Sequence, residues 1–124
     1  MDLFAQAWSY FWNNRAEFGA SLVQHVLLSG TALAIALSVC LPLGIWAAYN
    51  ARAAQLGINI ANALRVVPSL AILFLAYPYL GLGFRNALLA LTVLACPPLL
   101  INTYAGLRAV DPAVVEAARG MGMN

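Results

Sequence analysis

The sequence predicts an all-α integral membrane protein: three transmembrane helices, an N-terminal interfacial helix and a short polar helical segment at the C-terminal end. Three observations point there. Hydrophobic residues make up 64% of the 124 and charged residues 8%, which leaves too little polar surface for a water-soluble domain. Predominantly apolar stretches long enough to cross a hydrocarbon core of about 30 Å recur three times along the chain. Around them sit aromatic clusters and arginines, residues that settle at the membrane–water boundary.

The same composition excludes several functions. The six basic residues are all arginine (Arg15, Arg52, Arg65, Arg85, Arg108 and Arg119) and the formal net charge is +2, too small and too dispersed for a nucleic-acid-binding surface. The four acids (Asp2, Glu17, Asp111 and Glu116) and the single histidine, His25, are scattered outside the spans, so no convergent set of titratable groups marks an enzyme. Cys40 and Cys96 stand in apolar runs without CxxC or Cys/His spacing and read as packing thiols, not metal ligands. The acidic, aromatic start lacks the basic region of a cleavable signal peptide, and the N-terminus is expected to be retained.

Residues 1–24 form the first unit. Leu3, Phe4, Ala7, Trp8, Phe11 and Trp12 recur at roughly helical spacing among polar residues, which predicts an interfacial helix with an aromatic belt. An aromatic cage for a cation is the sharper alternative. His25 reads as an interfacial residue because no intramembrane carboxylate exists to partner it. Residues 26–49 carry no charge and form the first span, in which Ser29, Gly30, Thr31, Ala34 and Ser38 offer small faces for helix contact. Pro42 and Gly44 are expected to kink or loosen its far end. A short polar connection, residues 50–55, follows.

The second span runs over residues 58–79, since a start at Pro68 leaves about twelve residues, too few to cross. Pro68 therefore lies inside it or breaks it, and the carbonyl it frees must face protein or water. Arg65 snorkels to the interface near the helix start. Tyr77, Pro78, Tyr79, Gly81 and Gly83 close the span with belt aromatics and a turn. The third span, residues 86–104, is expected to be interrupted by Pro97 and Pro98, with Asn102 and Tyr104 at its end. Broken helices of this kind line transport pathways, so Pro68, Ser69, Pro97, Pro98, Asn102 and Tyr104 are pathway or kink candidates.

The polar segment, residues 105–124, holds a legible helix. Asp111 is an N-cap with Pro112 at the first helical position. Val114, Ala117, Ala118 and Met121 fall on one small, apolar face, Glu116 and Arg119 on another, and Gly122 ends the helix in a left-handed turn. Asn124 resembles the cap of a helix that does not follow. Arginine placement puts the N-terminus outside, the first connection inside, the turn at residues 81–84 outside and the last segment in the cytoplasm.

EAARGMG at residues 116–122 resembles the EAAxxxG signature of the transmembrane subunits of ATP-binding-cassette importers. With RVVPSLAIL at residues 65–73 and INTYAGLRAVDPAVVEAARGMGM at residues 101–123, the chain looks most like the osmoprotectant branch, the permeases for glycine betaine, choline, carnitine or proline betaine. The resemblance implies a type I importer permease fold in the bacterial plasma (inner) membrane. Its cytoplasmic loop docks the ATPase subunit through Asp111, Glu116, Ala117, Ala118, Gly120 and Gly122. It implies ATP and Mg on that partner and no cofactor on this chain. A second permease copy, an extracytoplasmic substrate-binding protein and the lipid bilayer are the other partners, and nucleic acid is not one.

The family signature continues through a second short helix to a hydrophobic-x-Leu-Pro ending and two further spans, so an incomplete permease is expected. Two alternatives stay open: an importer permease for another small solute (amino acid, methionine or sulfonate), and a small structural membrane protein.

Overall fold

The computed structural model describes residues 2–67 and 69–123. Among them the chain forms six helices: α1 (Asp2–Asn13), α2 (Arg15–Tyr49), α3 (Ala51–Val66), α4 (Ser69–Leu80), α5 (Phe84–Arg108) and α6 (Pro112–Gly120). Two of them, α2 and α5, are each long and apolar enough to cross a membrane.

These two helices run side by side and parallel, because their paired residues rise together. His25 and Leu28 border a cleft with Phe84 and Ala87; Ala32 and Leu33 share another with Leu91 and Leu94; Gly44 lies against Leu100 and Thr103. Parallel neighbours oblige the intervening chain to travel back along their length. From His25 to Asn50 that length is about 37 Å at 1.5 Å per residue. The return is made by α3 and α4, bent by 89° to each other. With 16 and 12 residues they are about 24 and 18 Å long, and neither crosses the core alone. They leave from one end of the α2–α5 pair and arrive at the other, so together they are one broken span and not a loop that returns to its own side.

Several sequence expectations are corrected here. Of the two readings of the second span, inside or breaking at Pro68, the structure shows the break: α3 ends at Val66 and α4 begins at Ser69, and α3 starts at Ala51, earlier than residue 58. Val67, which precedes a proline, has the extended backbone that a following proline imposes (φ −72°, ψ 119°). Pro68 itself lies outside the described residues. The polar connection at residues 50–55 shrinks to Asn50, whose side-chain oxygen caps α3 by accepting from the backbone N–H of Arg52 (3.0 Å) and Ala53 (3.2 Å). Pro97 and Pro98 do not interrupt α5, and Pro42 sits inside a continuous α2. A proline's fixed φ is itself helical, and Pro97 is buried where α2 and α3 wall it in. The first span's helix also reaches back to Arg15, so α1 is shorter than the N-terminal unit expected.

The packed face of α2 differs from the one expected as well. Ser29, Gly30, Thr31, Ala34 and Ser38 are exposed, and the hydroxyls bond to their own helix: Ser29 to the His25 carbonyl, Thr31 to Leu27, Ser38 to Ala34. Once satisfied this way, a hydroxyl needs no partner helix. The buried seam is Ala32, Ala36, Cys40, Gly44 and Ala47, small side chains about one turn apart that let backbones approach. Large apolar side chains such as Leu33, Ile45, Trp46 and Phe74 point outward. Small inside and large outside is the arrangement of helices solvated by lipid.

Asn86 is the largest fully buried side chain, 1% exposed. From the first turn of α5 its amide nitrogen donates to the carbonyls of Leu73 (3.1 Å) and Gly81 (2.9 Å), which ties α4 and the following turn to α5. Its amide oxygen is buried and has no partner among the described residues.

Two measurements test this packing. A Cβ at Gly44 falls 2.7 Å from Thr103 Cβ, so Gly44→Ala is expected to destabilise the chain by about 1–3 kcal/mol. Gly30, with nothing within 4 Å, should gain about 0.5–1 kcal/mol on replacement by alanine, the usual helix-interior benefit. Unfolding in detergent micelles followed by circular dichroism reads both signs. Asn86→Ala removes both inter-element bonds and should cost about 1–3 kcal/mol, with faster hydrogen exchange confined first to α4.

Candidate coupling segment and pathway residues

α6 is built by local chemistry at both ends. Asp111 accepts at its side chain from the backbone N–H of Ala113 (2.9 Å), and Pro112 occupies the first helical position, where a missing N–H costs nothing. At the other end the Met123 N–H donates to the Ala118 carbonyl and the Gly122 N–H to that of Arg119, each at 3.0 Å. Those two bonds form a Schellman motif, and Gly122 adopts the φ of +81° it requires. Gly120 is the last helical residue.

The segment presents two surfaces. Val114, Ala117 and Met121 are exposed and Ala118 half-buried, so the small apolar face is uncovered. Glu116 and Arg119 line an open groove of about 490 Å³ with Leu107, Arg108, Val110, Pro112 and Val115, between α6 and the end of α5. Two guanidinium groups and one carboxylate leave that groove cationic.

The pathway candidates are not gathered into one site. Ser69 opens α4 and is exposed; Pro98 and Asn102 face outward from α5; Tyr104 is half-buried. Among the described members of this set Pro97 alone is buried, beside an apolar cavity of about 280 Å³ between α2, α3 and α5. Four other residues organise the bundle and were not singled out as sites: Gly44, Asn50, Asn86 and Thr103. The four-residue spacing of small side chains from Ala32 to Gly44 was the available signal for the first.

With this geometry described, the chain can be set beside known proteins. The family described as "binding-protein-dependent transport system inner membrane component" matches residues 40–124. The chain belongs to this family. Among curated relatives, the carnitine transport permease protein OpuCB of Listeria monocytogenes is 36% identical over 94% of this chain and 53% of its own length. The carnitine transport permease protein OpuCD of L. monocytogenes serotype 1/2a is 34% identical over 100% of this chain and 56% of its own. The choline transport system permease protein OpuBB of Bacillus subtilis is 34% identical over 90% and 51%. The chain thus spans about half the length of the curated relatives it matches. No solved structure matches it. As a member of a membrane-permease family with apolar spanning helices, it is an integral membrane protein and a transport component.

The caps are testable in isolation from transport. Asp111→Ala should cost α6 about 1 kcal/mol, and Gly122→Ala about 1–2 kcal/mol because alanine resists a left-handed backbone. Amide exchange within α6 should accelerate in both variants while α5 exchanges as before.

Proposed function

We propose that the chain is the solute-conducting membrane component of an ATP-driven importer for osmoprotectants such as glycine betaine, choline or carnitine. The observation that carries this reading is α6: a helix fixed at both ends that leaves its small apolar face, Val114, Ala117 and Met121, uncovered. Such a face, beside a glycine-ended turn, suits docking into a groove of an ATPase subunit, and Glu116 supplies a charge-assisted contact at its edge. The ATPase subunit binds ATP and Mg and hydrolyses the nucleotide; this chain binds no cofactor. The printed names of the relatives, carnitine and choline permeases, support the cargo class.

An extracytoplasmic binding protein delivers the solute, and a second permease copy completes the pathway. Ser69, Pro97, Pro98, Asn102 and Tyr104 are proposed to bend or line it. The parallel α2–α5 pair supports the orientation, since it collects Arg52, Arg108 and Arg119 at one end and Arg15 and Arg85 at the other. The arginine-richer end is cytoplasmic and carries α6. Arg65 adds nothing to that count, because α3 carries it about 22 Å from Asn50.

Affinity capture from membranes that express the complete transport system tests the docking. An ATPase subunit should co-purify with the wild-type chain and be lost with Gly122→Trp or Glu116→Arg, and uptake of labelled betaine should fall at least about tenfold in the same variants. Retention of the ATPase in both variants counts against docking through α6. Capture without betaine, choline or carnitine uptake keeps the docking and rejects the cargo.

A further inference from the structure

We infer that one face of α3 is the polar wall of a water-filled route through the membrane, with Arg65 placed to hold a solute carboxylate. Arg52, Gln55, Asn59, Asn62 and Arg65 recur three or four residues apart, the spacing of a single stripe on a helix, and all five are exposed. The other side of α3 is small and apolar. Ala54 and Ala61 are buried, and Gly57, Ala61 and Leu64 line the cavity shared with α2 and α5. α3 is thus fastened to the bundle by its apolar side and turns three carboxamides and two guanidinium groups away from it. The inference rests on the transport reading for its solute, and not for the wall itself.

Depth makes this face a constraint. Leu64 borders the same cavity as Val39 and Cys40, and Cys40 lies about 15 Å along α2 from Asn50. The stripe therefore reaches well inside the hydrocarbon, and Arg65, in the last turn of α3, ends it where the broken span turns. On α2 the exposed hydroxyls bond to their own helix. A carboxamide carries two donors as well as an acceptor, and a guanidinium carries donors only. Acyl chains satisfy none of these groups, so water or protein must. Charge then selects the occupant. The stripe holds two cations and no carboxylate. A second copy set against it about a two-fold axis brings arginine stripe to arginine stripe, whereas water solvates each cation and leaves it free to draw an anionic group inward. Glycine betaine and carnitine carry a carboxylate, which a guanidinium binds by paired hydrogen bonds; choline carries none.

The test uses membranes that express the complete transport system, permeabilised so that a charged, water-soluble maleimide reaches both sides. Gln55→Cys, Asn59→Cys and Asn62→Cys should each take up one label beyond the wild type, read by intact mass. Leu41→Cys and Ile45→Cys, at exposed apolar positions of α2, should take up none. Unlabelled stripe positions, or labelling of the α2 positions at the same rate, overturns the wall; should one cysteine variant fail to fold, the other two decide. For the anchor, Arg65→Gln should lower carnitine uptake about tenfold more than choline uptake, the loss of one hydrogen bond to a charged group. Equal losses overturn that role. A system that takes up neither solute defeats the cargo reading and the carboxylate anchor with it, while the labelling still decides the wall.

Discussion

The arrangement of this protein rests on a missing side chain. At Gly44 the backbone of α2 comes so close to α5 that a Cβ would sit 2.7 Å from that of Thr103, a separation that repacking must relieve. The close approach holds α2 and α5 in parallel register, and that register dictates the rest of the topology. Parallel helices joined by a single connection need that connection to cross the membrane, yet α3 and α4 are each too short. The crossing is therefore shared between two helices that meet at 89°, and Asn86 secures the second of them by donating to the carbonyls of Leu73 and Gly81.

Packing in lipid follows a different logic from packing in water. Apolar side chains gain little by leaving lipid for protein, so helices associate where backbones approach and dispersion contacts are dense. The buried residues of α2 are accordingly alanine, cysteine and glycine, and leucine, tryptophan and phenylalanine are left outside. On α2 serine and threonine do not mark the interface, because a helix carbonyl one turn back satisfies each hydroxyl. The amide of Asn86 cannot be satisfied by its own turn, and it is this polar group that the fold buries and uses.

α6 stands in contrast to the bundle. Its beginning and end are written in neighbouring residues: an aspartate and a proline at one end, a glycine with two returning hydrogen bonds at the other. Nothing from the bundle is needed to form it, and it buries no residue fully. The bundle contributes position. Because α2 and α5 run parallel, α6 emerges at the same end as Asn50 and Arg52, and the docking proposed for it uses a helix shaped locally and placed globally.

Composition, hydropathy and cap chemistry determined the helical class, the membrane setting, the turn after Leu80 and every boundary of α6, because each depends on residues within a few positions of one another. Tertiary structure alone decided which face of α2 is packed, whether a proline breaks its helix, and that Cys40 and Cys96 line one cavity. Serine and alanine are equally small, and a proline's ring is compatible with a helix or with its end. What separates the outcomes is which neighbour lies against the residue, and that neighbour stands far away in the sequence.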